Sequence, residues 1–187
     1  MLPPPFDPPH RKRPTGEERV DALWKEITQR QLGAAIDMLE NAITACPDDL
    51  WGDDTKHPPY WRLAFHTLFW LDLYLTGSID GFEPPAPFGL EELDPAGAAP
   101  PRTYTREELL AYLRHCRAKC RATIAGLTRE RVEEVSAFVW GEGASFAELL
   151  LYNLRHVQHG AAQLNLILRR RMDSAPPWVA QERSPGA

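Results

Sequence analysis

Three histidines lie where helical spacing can bring them to one point. His66 sits in the middle of Tyr60-Trp61-Arg62-Leu63-Ala64-Phe65-His66-Thr67-Leu68-Phe69-Trp70-Leu71-Asp72, the most apolar stretch of the chain. His156 and His159 sit in Asn153-Leu154-Arg155-His156-Val157-Gln158-His159-Gly160-Ala161-Ala162-Gln163. Residues three apart on a helix are neighbours, so both imidazoles can lean toward one point. A histidine on a facing helix completes a cluster of the kind that helical bundles use for metals. Neutral imidazole ligates zinc, nickel, iron or copper, and a catalytic centre needs about three protein ligands and an open position. The plainer alternative is a hydrogen-bonded core histidine at 66 and a surface pair at 156 and 159.

The remaining reactive types are less suggestive. His10 and His57 lie among prolines and are assigned no role. His115 precedes Cys116, which shares a helix face with Cys120, so a His/Cys/Cys metal cluster can be drawn there. Thiols packed in a core are the simpler expectation, because free cysteine is among the most buried residue types. Asn153 can orient an imidazole or a water, or it can be a hydrogen bond within a bundle, as can Gln163. Asp72 reads as a solvated or inter-helix charge. No carboxylate has a spacing that marks it as a general base.

The elements that must position these residues are delimited by proline. The chain has 18 prolines in 187 residues, roughly double the usual ~5%. They cluster before Thr15, between Pro47 and Pro59, between Pro84 and Pro101, and after Asp173. Long helices are thereby confined to 15–46, 60–83 and 102–175, since proline inside a helix removes a backbone bond and clashes with the preceding turn. Thr15-Gly16-Glu17-Glu18, Thr105-Arg106-Glu107-Glu108 and Ser145-Phe146-Ala147-Glu148 each set a hydroxyl three residues before a glutamate, the signature of a capping box. Pro58-Pro59 marks a fourth start.

Helical periodicity agrees with these starts. The first segment, about 17–45, aligns Val20, Leu23, Ile27, Ala34, Met38, Ala42 and Ile43. The second, about 59–76, is apolar nearly all round, so it is buried on more than one side, either centrally in a bundle or against a second copy. The third, about 105–126, aligns Leu109, Leu113, Cys116, Cys120 and Ile124; the fourth, about 145–171, aligns Leu149, Tyr152, Leu154, Val157, Ala161, Leu164 and Leu168. No segment alternates with period two. The expected fold is all-α, a four-helix bundle with a long proline-rich connection, 77–104, between the second and third helices. The expected organisation is a proline-rich tail over 1–14, the bundle over 15–172 and a C-terminal tail over 173–187.

Composition narrows the function. Twenty-one Lys+Arg against 26 Asp+Glu give a net charge of -5, which argues against a basic nucleic-acid binder. The longest apolar stretch contains His66 and is too short to span a bilayer. The start, rich in proline, lacks the apolar core of a signal peptide, and three cysteines fit reduced thiols better than a disulfide framework. The expectation is a cytoplasmic protein with neither nucleic-acid nor membrane partners.

On the stretches around His66 and His156, and on the order of its helices, the chain resembles the DinB/YfiT-like superfamily over roughly 17–180. The resemblance implies a four-helix bundle in which one histidine of the second helix and two at i, i+4 on the fourth bind a divalent metal, commonly nickel or zinc. It also implies chemistry on small molecules, such as metal-dependent hydrolysis or thiol transfer. His66 and His156 match two of those ligands. The third position is Gly160, which has no side chain to offer. His159 points about 100° away from that position and about 60° from His156, so it is the substitute ligand if one exists. The metal set expected from the resemblance is therefore His66, His156 and His159, with catalytic residues unassigned. The glycine itself implies close backbone packing or space left for a ligand. The alternative is a non-catalytic dimeric bundle that binds a small molecule or protein without metal. In both readings a homodimer through the second and fourth helices is expected, from the all-round apolar character of 60–75.

Overall fold

The computed structural model describes residues 16–55, 58–138 and 143–182, with only the backbone of residues 16, 17, 19 and 20. Among them are six α-helices: α1 Gly16–Ala45, α2 Asp48–Trp51, α3 Tyr60–Thr76, α4 Arg106–Ala125, α5 Arg129–Glu133 and α6 Phe146–Met172. The described residues contain no strand, only one isolated bridge between Val135 and Ser145. The protein is all-α. The four long helices α1, α3, α4 and α6 occupy the four expected segments. Each of α1 and α3 packs on both α4 and α6, so the four form a ring with α1 and α3 across the diagonal. No described helix is long and apolar enough to cross a membrane.

The helices α2 and α5 are additions to the expected four, each too short for periodicity to reveal. Pro47 supplies the extended residue before α2, which buries Leu50 and Trp51. Thr128 caps α5 by accepting the Arg131 N–H. Local chemistry sets the long helices as well. At α4 the Thr105 hydroxyl accepts the Glu108 N–H at 3.2 Å, and the Glu108 carboxylate accepts the Thr105 N–H at 2.8 Å. At α6 the Ser145 hydroxyl accepts the Glu148 N–H at 3.2 Å. Helix α3 starts just after Pro59 and ends at Gly77, whose φ of +87° suits glycine and closes the last turn. The cap at Thr15, the N-terminal tail 1–14, His10 and His57 lie outside the described residues.

The connection 77–104 folds back over α3 and α4. It buries Phe82, Phe88 and Tyr104. Phe88 stacks on Tyr112 of α4 with ring centres 4.4 Å apart, Tyr104 meets Trp61 at 5.8 Å and Phe82 meets Phe69 at 5.4 Å. Each such buried ring contributes roughly 1.5–3 kcal/mol of hydrophobic stabilisation. This segment, together with α4 and α6, covers the apolar faces of α3 within one chain. Trp178 does not share in that cover, being 69% exposed.

The apolar stripes differ from expectation at their ends. Ala34, Met38, Ala42 and Ile43 of α1 are buried, whereas Leu23 and Ile27 are exposed. With 30 residues against the 20 of α4, α1 is about 15 Å longer. Lys25 reaches the α4 terminus, donating to the Ala125 carbonyl, and Trp24 beside it packs against the core, so Leu23 and Ile27 fall on the outward side of α1. Tyr152 of α6 is likewise exposed at its rim.

Charged groups lock the helices to one another. Asp72, fully buried, accepts from Lys119 at 2.6 Å and Tyr112 at 3.1 Å, so it is an inter-helix charge. Arg117 of α4 bridges Asp37 and Glu40 of α1 at 2.5 and 2.6 Å. The C-terminal segment crosses α1 at Gly33. There Glu182 accepts from Gln29 at 2.8 Å and Arg121 at 2.7 Å, in space that a β-carbon at Gly33 would fill.

Candidate functional site

The seam between α3 and α6 brings His66 and His156 together, with ring centres 5.6 Å apart. A contact one turn further along α6 allows this approach. Gly160 is buried against Thr67, and a β-carbon at 160 would lie 2.7 Å from Thr67 Cγ2 and 3.0 Å from its Cβ. Thr67 has little freedom to yield, because it is β-branched and its hydroxyl donates to the Leu63 carbonyl at 2.8 Å. Of the two meanings open for this glycine, close backbone packing is the one found.

His156 is largely buried, and its Nε2 has no hydrogen-bond partner among the described residues. Burial, together with the neighbouring His66 and His159, lowers its pKa to about 4, against the opposing influence of the Thr67 backbone and Glu92. The ring is therefore neutral at ordinary pH, the form that ligates metals. Tyr74 meets it edge-on at 5.8 Å.

His66 is held by a residue that the sequence did not single out. Glu92, in the short 3-10 turn Glu91–Leu93 of the connection, sets Oε2 at 2.6 Å from His66 Nδ1. Its side chain is 7% exposed and also accepts from Arg62 Nε at 3.3 Å and Trp70 Nε1 at 3.4 Å. Burial pushes the Glu92 carboxyl up, but hydrogen bonding and charge from His66, Arg62 and Trp70 outweigh it and hold the group below its usual pKa. No spacing pattern links positions 66 and 92; the only available signal was the unusual length of the connection.

The third expected ligand is elsewhere. His159 is exposed, and its Nε2 lies 2.8 Å from the Gln163 side-chain nitrogen one turn on. Gln163 is thus a surface partner of His159 rather than a hydrogen bond within the bundle. Asn153 is fully buried and donates to the Leu71 carbonyl at 3.1 Å, so it ties α6 to α3 instead of orienting an imidazole. His115 lies on the surface, 3.5 Å from Asp72. Cys116 and Cys120 are buried, and burial pushes the Cys120 thiol up to about 12 and Cys116 well above its ordinary value. Thiolate is the ligating form, which leaves these cysteines as core packing.

Pro59, Arg62, Leu63, His66, Glu92 and Gln163 line a cavity of about 680 Å³, within the usual range for a small-molecule site. A metal fits the donor set in part. Two imidazoles sharing one tetrahedral zinc at about 2.0–2.1 Å have ring centres roughly 5 Å apart, close to the separation of His66 and His156, and the bare Nε2 of His156 is an atom that an ion would satisfy. Among the described residues, however, no group of three or more His, Cys, Asp or Glu is placed to hold a metal ion. The protein side of such a centre is a pair.

A family profile, the DinB superfamily, matches residues 15–164. No curated protein and no solved structure matches the chain.

Proposed function

Because the chain belongs to the DinB superfamily, we propose that the His66–His156 cleft is its working centre and takes a divalent ion, nickel or zinc, on two imidazole nitrogens. The observation that carries this reading is the buried, unpartnered Nε2 of His156 beside His66. Held by His66 and His156, such an ion would supply Lewis-acid chemistry, the lowering of the pKa of a water or thiol to give a nucleophile near neutral pH. The chain's own residues do the rest. His156, neutral above about pH 4, offers a nitrogen without first losing a proton. On the His66 side, in a cavity that His156 does not line, Leu63 and Pro59 give a small organic substrate an apolar wall, with the Arg62 guanidinium and the Gln163 amide at its polar edge. The reaction class is metal-dependent hydrolysis or thiol transfer on a small molecule. Titration calorimetry with nickel and zinc tests it, with one-to-one binding expected.

A second reading, binding of a small molecule without metal in the cavity that His66 and Glu92 line, draws on one observation: the described residues offer two imidazoles and no third ligand. Both readings keep a homodimer. Since α3 is covered within its own chain, the contact is assigned to the outer face of α6, where Leu151, Tyr152 and Leu166 are exposed. A cytoplasmic location is kept as well, in line with three unpaired, buried cysteines.

A further inference from the structure

We propose that the connection between α3 and α4 is a working part of the site: through Glu92 it fixes the ring tautomer of His66, so that Nε2 is the nitrogen offered to a ligand. The inference rests on reading the His66–His156 cleft as the site. An ionised carboxylate only accepts hydrogen bonds. With Glu92 Oε2 at 2.6 Å, the hydrogen between the two groups belongs to His66 Nδ1. A neutral imidazole carries one ring N–H, so Nε2 is then bare.

Two further features make Glu92 a positioning residue rather than a chance neighbour. Arg62, His66 and Trp70 are spaced i, i+4 along one face of α3, and all three meet this one carboxylate. Their bonds engage both of its oxygens, which directs the group toward orienting His66. The segment that carries Glu92 is itself anchored, because Phe88, four residues earlier, stacks on Tyr112 at 4.4 Å. Such carboxylate–histidine pairs set ring orientation and raise ligand basicity, and losing one costs about 10–100-fold in metal affinity.

Nitrogen-15 NMR of the imidazole rings in metal-free protein at pH 8 tests this directly. The expected result is His66 with Nδ1 protonated and Nε2 bare. Glu92→Gln, which can donate as well as accept, should shift the ring toward the other tautomer. Trp70→Phe removes a different donor from the same oxygen and should leave the His66 tautomer unchanged, so it controls for general loosening of the connection. A His66 that carries its proton on Nε2 in the parent overturns the proposal, as does a Glu92→Gln protein with unchanged populations. An equal shift in Trp70→Phe also overturns it, because the effect then belongs to packing. The readout needs no metal: a parent that binds neither nickel nor zinc contradicts the metal reading while the tautomer result stands on its own.

Discussion

Gly160 and Thr67 are in such close contact that a β-carbon at 160 would stand 2.7 Å from Thr67 Cγ2. The position from which a second α6 histidine would reach the metal, on the family resemblance, is here the point where α6 rests on α3. Residue 160 therefore sets the distance between the helices that carry His66 and His156.

The first prediction follows from that contact. Gly160→Ala should destabilise the protein by about 1–3 kcal/mol through overpacking, although alanine favours a helix over glycine by roughly 1 kcal/mol. Gly160→His should cost more. Thr67→Ala removes the crowding methyl and hydroxyl and should recover much of the loss in either background. Urea unfolding of the single and double variants reads the coupling; additive effects would show that the two positions do not share the space.

Helix α4 supplies a prediction about pH. The Glu108 carboxyl is held down to about 2 by its bonds to Arg102 and then to the Thr105 backbone. Its folded pKa lies below the unfolded value near 4.5, so the contribution is fully present above about pH 4.5 and is lost as pH falls toward 2. Glu108→Gln should flatten the stability profile across that window, and Thr105→Ala should cost about 1 kcal/mol at neutral pH. Unfolding curves between pH 2 and 7 check both.

Removing Lys119 should be more damaging than removing either cap group. Asp72 is fully buried and Lys119 is its cationic partner at 2.6 Å. Lys119→Ala leaves the buried carboxylate without its lysine, with the Tyr112 hydroxyl and the His115 ring beside it, at a cost of about 3–5 kcal/mol. Asp72→Asn together with Lys119→Met should restore much of the stability. Thermal melts of the three proteins distinguish this from a surface pair, where every variant would stay near the parent.

Light scattering at micromolar concentration checks the proposed homodimer. The expected mass is twice 21.2 kDa, and Leu151→Glu with Leu166→Glu should return it to that of one chain. A monomeric parent would contradict the dimer.

The long helices were legible because their signals are local. Proline marks where helices cannot run, hydroxyl–glutamate spacing marks two described starts, and the stripe from Leu109 to Ile124 is buried as its period implies. The pairing of His66 with His156 followed from the family resemblance, with helix spacing making it feasible. What stayed hidden depends on contacts distant in sequence. Glu92 meets His66 across 26 residues, and no periodicity reports such a meeting. Leu23 and Ile27 continue the α1 pattern yet are exposed, because a periodic pattern does not report which face of a turn meets a neighbouring element. The role of Gly160 depended on Thr67, a residue whose type carries no hint of a helix crossing.

In the proposed function, His66 and His156 together form the protein's half of a metal centre. Titration calorimetry with nickel and with zinc on the parent, His66→Ala, His156→Ala and His159→Ala tests it most directly. One-to-one binding is expected of the parent, none of His66→Ala or His156→Ala, and little change in His159→Ala, whose ring is paired with Gln163 on the surface. A parent that binds neither ion, or a His66→Ala protein that binds as the parent does, would contradict it.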